Sequence, residues 1–489
     1  MDLAQLSATE TTGLVKTGQL SIVESITASL DRVAMGNPLI NAVCTVNHRA
    51  LEQAAQAEAR LRSGQAARPL EGVPFVAKDN LLTSGLLTTF GSLLYRDSVP
   101  AETSLSVQRM LDAGAILIGK SNLPEFAHDI NSVNALFGLT RNPVDLNVTA
   151  GGSSGGTAAA VAGGLTPVGL GTDLGGSIRI PSSFCGICGL RPSAGRIPVH
   201  PSEFAWDTLV AHVHGPMTRT VPDLGLLLSV LAGPDDRDPM SLPASPADYV
   251  AAASGNHDLL GRRGGLLMNL MDLVAIDAEV ERLVSQAASD LSDLGCVLDN
   301  ARLDASHVKP AVNGTRAFGM VARYAEIYRN SGEVLSAALK SQVGGAMGVD
   351  LLALADSERH RSMFYHAVAR LLEHFDFLVC PTVAVPAMRL DEPLPRSVGG
   401  HPISSFYDVF YACYAFSLTG LPSVSVPCGF TSAGLPVGLQ IIGRRHRDDN
   451  LLEVASCYAR HHPEHFRSPG ISTSIANDAS LATRGVTIG

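Results

Sequence analysis

Two short loops rich in glycine and serine carry the side chains best suited to nucleophilic chemistry. The first loop is Gly151–Gly156, and the second, Gly171–Ser177, follows shortly after it. Glycines leave neighbouring hydroxyls unobstructed and let the backbone approach a ligand closely. The serines of these loops, Ser153, Ser154 and Ser177, are therefore candidate nucleophiles.

Phosphate binding is the common alternative use of such loops. A P-loop needs a lysine directly after its last glycine, and none follows Gly156. The dinucleotide pattern G-x-G-x-x-G also fails, because Leu174 stands where the third glycine is required. The sequence therefore does not favour a nucleotide-binding protein.

A nucleophile elbow is a second alternative. The segment Gly152–Gly156 satisfies G-x-S-x-G with Ser154 at its centre. This interpretation requires a later Asp and then a histidine base, as in the α/β-hydrolases. The candidate histidines stand in no distinctive context: His366, His374 and His401.

A serine can instead be activated by a lysine that is held neutral. Lys78 and Lys120 each follow an apolar run that predicts a buried strand, Val73–Ala77 and Ile116–Gly119 respectively. Burial disfavours the charged form and lowers the pKa of a lysine towards neutrality. The residues alone thus indicate a Ser/Lys hydrolase, without deciding which serine and which lysine act.

Several other short segments, spread along the chain, belong to the same set of sequence motifs as the two loops. They are Gly72–Asn80, Gly114–Asn122, Arg141–Pro143, Gly171–Pro181, Gly189–Pro192, Gly215-Pro216, Gly420–Pro427 and Gly434–Gly443. Together with the loops they resemble the amidase signature family of serine amidases. The resemblance extends from about residue 10 to 460 and is weakest over 236–370.

The resemblance implies a catalytic triad of two serines and a lysine. Ser177 would be the nucleophile, Ser153 a bridging serine on a cis peptide, and Lys78 the base. Neutral Lys78 would take a proton from Ser177 through Ser153 while the Ser177 oxygen attacks an amide carbonyl. Water would then hydrolyse the acyl-enzyme.

The same resemblance assigns supporting groups. The backbone N–H groups of an oxyanion hole would be those of Leu174, Gly175, Gly176 and Ser177. The side chains that brace the loops would be Ser154, Asp173 and Arg179. This chemistry requires no metal ion and no cofactor.

The implied substrates are small, fairly apolar aryl or alkyl amides, with carbamates (urethanes) and esters as related substrates of the same acyl-enzyme chemistry. Segments 124–134 and 310–370 are expected to shape the acyl pocket. The apolar side chains expected there are Met320, Tyr324, Met347 and Phe364.

Two other functions remain open within this resemblance. One is the glutaminase (A) subunit of a glutamine-dependent tRNA amidotransferase, although Asn313–Met320 departs from that subunit's usual sequence. The other is a non-catalytic binding protein, which the presence of all three triad residues disfavours. A separate departure is Ser417, where the family usually has Asn.

The elements that must position these residues alternate between strands and helices. We expect an α/β protein of the amidase signature fold, with a central mixed sheet covered by helices on both faces. Residues 1–65 are predicted as a helical N-terminal region, 66–467 as one domain with a signature core at about 70–235 and a variable helical region at about 300–375, and 468–489 as a loose tail. Residues 236–262 are predicted as a linker.

Individual elements can be read from caps and periodicity. Capping boxes at Ser7 and Ser21 predict two helix starts. Helices are also predicted over 50–61, 104–113, 157–163, 277–294, 310–375 and 450–460. Strands are predicted over 72–77, 115–118, 167–170, 296–298, 377–380, 424–426 and 437–442.

Composition limits the class of protein further. Hydrophobic residues make up 46% and charged residues 17% of the chain, which is typical of a compact folded protein. A net charge of −10 gives no basic excess for nucleic acid or an anionic membrane. We expect a cytoplasmic enzyme that acts on a small-molecule amide or carbamate. The sequence is compatible with a homodimer.

The eight cysteines are expected to be reduced thiols. Cys185 and Cys188 form a C-x-x-C pair, but no second pair follows at the spacing of a zinc site. The sequence therefore predicts no metal site.

Overall fold

The computed structural model describes residues 5–202, 204–206, 212–270, 273–392, 394–403 and 405–466, together with Leu3 and Ile471. Its strands are, in chain order, β1 (Val43–Val46), β2 (Pro74–Lys78), β3 (Ile116–Ser121), β4 (Val133–Asn134), β5 (Gly138–Leu139), β6 (Val168–Asp173), β7 (Cys188–Arg191), β8 (Val213–Thr218), β9 (Arg263–Leu266), β10 (Val297–Asn300), β11 (Phe377–Pro381), β12 (Ser397–Val398), β13 (His401–Pro402), β14 (Ser423–Phe430) and β15 (Pro436–Gly443).

Eleven of these strands form one mixed sheet in the order β1-β3-β2-β6-β8-β7-β14-β15-β11-β9-β10. The pairs β2–β3, β2–β6, β9–β11 and β9–β10 are parallel, and the other neighbours are antiparallel. The short pairs β4–β5 and β12–β13 lie outside this sheet.

Fourteen α-helices accompany the strands in the described residues. They are α1 (Ala8–Lys16), α2 (Ile22–Ile40), α3 (Ala50–Arg62), α4 (Leu105–Asp112), α5 (Gly155–Ala162), α6 (Arg179–Cys185), α7 (Val221–Leu231), α8 (Tyr249–Ser254), α9 (Ala278–Asp293), α10 (Val308–Ser331), α11 (Ala337–Ala346), α12 (Leu351–His374), α13 (Tyr407–Thr419) and α14 (Asp448–His461).

Helices cover both faces of the sheet because its strands are apolar on both sides. In β2, Phe75 and Ala77 belong to the core cluster shared with α4, α7, α8, α9 and α14, whereas Val76 between them packs with α2, α3 and α5. Successive strand residues point to opposite faces. In β11, Leu378 likewise faces the cluster of α10, α12 and α13. The predicted fold class, a mixed sheet covered on both faces, is confirmed.

The N-terminal region is built as its caps predict, with one exception. Ser7 and Ser21 both form complete capping boxes, with Glu10 and Glu24 respectively, at the starts of α1 and α2. The exception is β1, which pairs antiparallel with β3 and forms one edge of the central sheet. The predicted helical region over 1–65 thus also contains one strand, whose four residues complete a sheet begun elsewhere.

Most other predicted elements lie where caps and apolar runs placed them. The predicted helix over 277–294 is α9, and the predicted strand over 115–118 extends to Ser121 as β3. The predicted linker over 236–262 contains the short helix α8. The predicted tail from Ser468 lies outside the described residues, apart from Ile471. The domain boundaries stay a prediction.

The two thiols of the C-x-x-C pair separate in space. The Cys185 thiol lies in the core cluster of α2, α3 and α5, and the Cys188 thiol lies in the cluster on the other face of the sheet. Burial raises the pKa of both thiols. The pair therefore does not present two thiolates to one ligand.

No helix in the described part of the chain combines the length and apolar character required to cross a membrane.

The start of α5 packs directly on the backbone that follows β3, and the glycine at position 156 makes this close contact possible. A Cβ atom at Gly156 would overlap the backbone N and O of Asn122 and lie 2.7 Å from the carbonyl oxygen of Ala42. Because these neighbours are backbone atoms, they cannot turn aside as a side chain could.

We therefore expect Gly156→Ala to lower the free energy of unfolding by about 1–3 kcal/mol through overpacking. Gly13→Ala in α1 is the matched control, since a Cβ there meets nothing within 4 Å. It should raise helix stability by about 0.5–1 kcal/mol. Urea denaturation measures both changes, and equal stability of the two variants would contradict the packing argument.

Candidate active site

Lys78 is the last residue of β2 and is fully buried. Its Nζ donates to Ser153 Oγ at 2.7 Å and to Thr172 Oγ1 at 3.0 Å. Strands β2 and β6 are parallel neighbours, so their carboxyl ends bring Lys78 and Thr172 to the same edge of the sheet. Burial lowers the pKa of Lys78 to about 7, with Asp173 acting in the opposite direction. The amine is thus available as a base near neutral pH.

Ser153 and Ser154 lie at the start of α5 and make different contacts. The Gly152–Ser153 peptide bond is cis, as the resemblance implied. Ser153 Oγ faces Lys78, whereas Ser154 Oγ contacts the backbone N and O of Thr172 at 3.4 and 3.3 Å. The Ser154 N–H also donates to the carbonyl oxygen of Ser177 at 3.1 Å. Ser154 therefore joins the two glycine-rich loops.

Ser177 lies between β6 and α6 and lines a cavity together with Ser153. Its side chain is half-buried, and its hydroxyl makes no hydrogen bond to a described group. Lys78 itself does not line this cavity. The structure thus places Ser153 between the buried amine and the space that Ser177 faces.

The backbone around Ser177 offers several N–H groups. The Gly176 N–H donates to Asp173 Oδ1 at 2.8 Å, so it is already engaged. The N–H groups of Leu174, Gly175 and Ser177 have no acceptor among the described residues. Gly175 must be glycine, because a Cβ there would overlap ring carbons of Tyr414. Three of the four N–H groups named from the resemblance are therefore unoccupied donors.

Asp173 holds this loop through a buried charge cluster. Arg179 makes a bidentate contact with its carboxylate, Nε to Oδ2 and Nη2 to Oδ1, both at 3.0 Å. Arg191 Nη1 lies 3.4 Å from Oδ1 and donates to the Asp173 carbonyl oxygen at 2.9 Å. Burial alone would raise the pKa of Asp173, but the two guanidinium groups outweigh it and hold that pKa below its usual range. Asp173 and Arg179 thus act as an ion pair.

Arg179 also ties the loop to distant parts of the chain. Its Nη1 donates to the Cys413 carbonyl oxygen at 3.0 Å and to Gln440 Oε1 at 2.6 Å, and its Nη2 donates to Ser417 Oγ at 2.6 Å. Ser417, the departure from the family pattern, is therefore an acceptor for this guanidinium.

The alternative bases lie elsewhere. Lys120 Nζ donates to Thr83 Oγ1 at 3.2 Å, to Thr88 Oγ1 at 3.1 Å and to the Leu81 carbonyl oxygen, and burial lowers its pKa to about 8. It braces the loop after β2 and does not line the cavity. Among the described contacts, none joins Ser154 to a histidine. The geometry therefore favours Lys78 over the alternatives that the residues left open.

The cavity in front of Ser177 has a volume of about 620 Å³. Residues 126–130 and the α10 residues Met320 and Tyr324 line it, as expected from the sequence. Met347 and Phe364 do not: Met347 is 39% exposed at the end of α11, and Phe364 is fully buried in the core. Both were predicted from helical apolar spacing, which does not distinguish a cavity wall from a core.

Sequence reasoning missed several cavity residues. They are Thr172 of β6, Tyr407 and Tyr414 of α13, and His212 and His214, whereas His128, Arg316 and Arg323 lie within the expected segments but were not singled out. Thr172 stands within the glycine-rich loop, where its position beside Asp173 was the available signal. The others lie far apart in sequence and carry no local pattern.

Among the described residues, three potential metal-ligating side chains converge in one place, formed by His462, Glu464 and His465. These residues follow α14 and do not line the cavity.

The sequence and the fold are similar to those of known proteins. Residues 24–452 match the model of the Amidase family. The A subunit of the glutamyl-tRNA(Gln) amidotransferase of Symbiobacterium thermophilum is 34% identical, over 96% of this chain and 99% of that protein. An acylamidase of Rhodococcus erythropolis is 33% identical, over 97% of this chain and 99% of that protein.

A solved structure of a bacterial aryl acylamidase of the amidase signature enzymes superposes with a TM-score of 0.89 at 29% identity. The superposition covers 95% of this chain and 98% of that one.

We expect Asp173→Asn to destabilise the protein by about 3–5 kcal/mol, because it leaves two buried guanidinium groups without their carboxylate. Asp391→Asn is the matched control, since it breaks an ion pair with Arg389 in which both side chains are exposed. The free energy of unfolding of that variant should stay close to that of the parent protein. Chemical denaturation measures both, and an equally small loss for the two variants would contradict the role of the cluster.

Proposed function

The chain belongs to the Amidase family, a family of amide hydrolases, and we propose that it cleaves the C–N bond of small amides through an acyl-enzyme on Ser177. One observation carries the proposal. A buried lysine whose pKa is lowered to about 7 contacts a serine that faces the same cavity as Ser177.

The proposed relay follows from which groups can reach each other. Ser177 Oγ attacks the amide carbonyl carbon, and its proton passes to Ser153 as the Ser153 proton passes to Lys78 Nζ. The protonated lysine returns a proton through Ser153 to the leaving nitrogen, and the C–N bond breaks. Water then attacks the acyl-enzyme by the same relay, releasing the acid and restoring Ser177.

Thr172 orients the lysine for this role. Both Lys78 Nζ and Asn80 Nδ2 donate to Thr172 Oγ1, at 3.0 and 3.1 Å. With one Lys78 N–H directed at Thr172, the lone pair of the neutral amine can point at the Ser153 hydroxyl. Thr172 is therefore a positioning residue.

The unoccupied N–H groups supply the second requirement of the reaction. As the carbonyl becomes tetrahedral, negative charge develops on its oxygen, and fixed backbone donors stabilise it. We assign this role to the N–H groups of Leu174, Gly175 and Ser177, with the Gly176 N–H held by Asp173. Neither this step nor the relay requires a metal ion.

The cavity walls support an apolar substrate. Phe90, Tyr95, Phe126 and Tyr324 line one side, with ring centroids of neighbouring pairs 5.2–6.2 Å apart. Such a wall favours aryl and alkyl groups next to the amide. Carbamates and esters fit the same chemistry, because they present a similar carbonyl to Ser177.

The second candidate is the glutaminase subunit, which the amidotransferase relatives favour. It predicts glutamine hydrolysis and stable partner chains. Size-exclusion chromatography of the native protein, with glutaminase assays of each fraction, distinguishes this candidate function from that of a free amidase.

Ser177→Ala should lower kcat/KM for aryl amides on the order of 10³-fold or more, because only binding and the oxyanion donors remain. Ser229→Ala, whose hydroxyl bonds to Leu226 in α7, is the control and should keep parental activity. Release of the aromatic amine measures the rates, and a chelator should not change them. Comparable activity of the two variants would contradict the assignment of Ser177 as the nucleophile.

The pH profile of kcat/KM should report Lys78. Because its pKa is about 7, the amine is protonated and inactive as a base below that pH, and neutral above it. We expect kcat/KM to fall about tenfold per pH unit below pH 7 and to level off above it. Lys78→Met should abolish this activity. A profile that is flat down to pH 5 would contradict Lys78 as the base.

A further inference from the structure

Arg316 brings a positive charge into the cavity without a matching carboxylate. Its Nη2 donates to Gln342 Oε1 and lies 3.4 Å from His128 Nδ1, and its guanidinium carbon lies 5.6 Å from the centre of the Tyr407 ring. All three partners are neutral groups. Within the described residues Arg316 forms no ion pair. Its charge is held in place but not neutralised.

Tyr414 places an unsatisfied hydroxyl in the same cavity. Its side chain is 5% exposed, and its hydroxyl lies beside Arg316, yet no described group meets hydrogen-bond geometry with it. A buried hydroxyl without a partner is costly and rare. Burial raises the pKa of Tyr414, so the hydroxyl keeps its proton and can donate.

The position of Tyr414 relates this hydroxyl to the reacting centre. The ring packs on Gly175, two residues before Ser177. Tyr414 also lies on α13, whose Cys413 carbonyl accepts from Arg179. The hydroxyl is therefore fixed with respect to the nucleophile.

The other charges that line the cavity do not neutralise Arg316. Asp129 Oδ1 accepts from the Asn131 N–H at 2.9 Å, and burial raises the pKa of Asp129. Glu102 is exposed. Arg323 is a second cation in the lining. Burial, together with Arg316 and Arg323, lowers the pKa of His128, which keeps this histidine uncharged.

We propose that the Arg316 guanidinium and the Tyr414 hydroxyl form a subsite for a carboxylate of the substrate. The enzyme then acts on amides that carry an acid group besides the scissile amide. This inference rests on the proposed amide hydrolysis. The guanidinium can only donate, and the Tyr414 hydroxyl retains a proton to donate, so an acceptor satisfies both groups and an anion also neutralises Arg316.

The aromatic wall and this subsite together define an amphipathic substrate. The apolar part of the substrate packs on the rings of Phe90, Phe126 and Tyr324, and the acid group binds between α10 and α13. A charge-assisted contact between a guanidinium and a carboxylate is stronger than a neutral hydrogen bond, and this strength favours acidic over neutral amides.

The test uses pairs of amides that differ only by a carboxylate in place of a methyl group. Butyryl and succinyl 4-nitroanilide differ by an acid on the acyl side, and N-butyryl-4-toluidine and N-butyryl-4-aminobenzoate by an acid on the amine side. We expect at least one acidic amide to exceed its neutral partner in kcat/KM by about tenfold or more. Arg316→Gln should reduce that preference about tenfold, mainly through a higher KM for the acidic amide, and Arg316→Lys should restore part of it.

Tyr414→Phe removes only the hydroxyl and keeps the ring on Gly175. It should reduce the preference for the acidic amide severalfold without lowering Tm, because the hydroxyl has no partner to lose. Tyr411→Phe on the same helix, outside the cavity lining, is the matched control and should change neither quantity.

Three results would overturn the subsite: no preference for either acidic amide in the parent enzyme, equal losses of Tyr414→Phe on acidic and neutral amides, or a lower Tm for this variant. Equal losses would place the hydroxyl at the reacting carbonyl instead.

If the parent hydrolyses none of the four amides, the proposed function fails and the subsite is tested alone. Succinate should then raise the Tm of the Ser177→Ala protein, and the same protein carrying Arg316→Gln should show no such shift. Equal shifts in both proteins would overturn the subsite.

Discussion

The buried carboxylate of Asp173 is the constraint on which the site depends. In a low-dielectric interior an unpaired carboxylate is costly, so the chain after β6 must bring donors to it. It does so with the N–H groups of Gly176 and Ile178 and the guanidinium of Arg179. This folding back of the loop leaves Ser177 facing the cavity. Arg179 then links the loop to α13 and β15, so the cluster also sets the far wall of the cavity.

Burial in the same interior disfavours the charged form of Lys78. Asp173 raises the pKa of Lys78 somewhat, but two arginines already neutralise that carboxylate, and desolvation dominates. The same interior thus keeps the Asp173 carboxylate ionised and keeps the pKa of Lys78 near neutral pH. Replacing apolar packing around β2 with water would return the pKa of the amine to its ordinary value, so that the amine would be protonated at neutral pH.

Local signals predicted a large part of the fold. Capping boxes identified α1 and α2, and apolar runs identified β2, β3 and β11. The strands β1, β7, β8 and β9 were missed because they are short or interrupted by glycine and proline. Val213–Thr218, for example, contains Gly215 and Pro216 and lacks a regular alternation. These segments are strands because neighbours on both sides, or on one side at the edge, supply hydrogen-bond partners.

For the site, the sequence by itself determined the candidate residues: two glycine-rich loops with their serines, and two lysines after apolar runs. Only the tertiary structure shows which lysine contacts a serine of these loops, because the parallel register of β2 and β6 brings Lys78, not Lys120, to Ser153. The tertiary structure also determined which residues form the cavity wall. Arg316 and Tyr414 lie almost 100 positions apart on α10 and α13, and only packing brings them together. Spacing along a chain encodes local backbone geometry, whereas contacts between distant helices depend on how the whole core is filled.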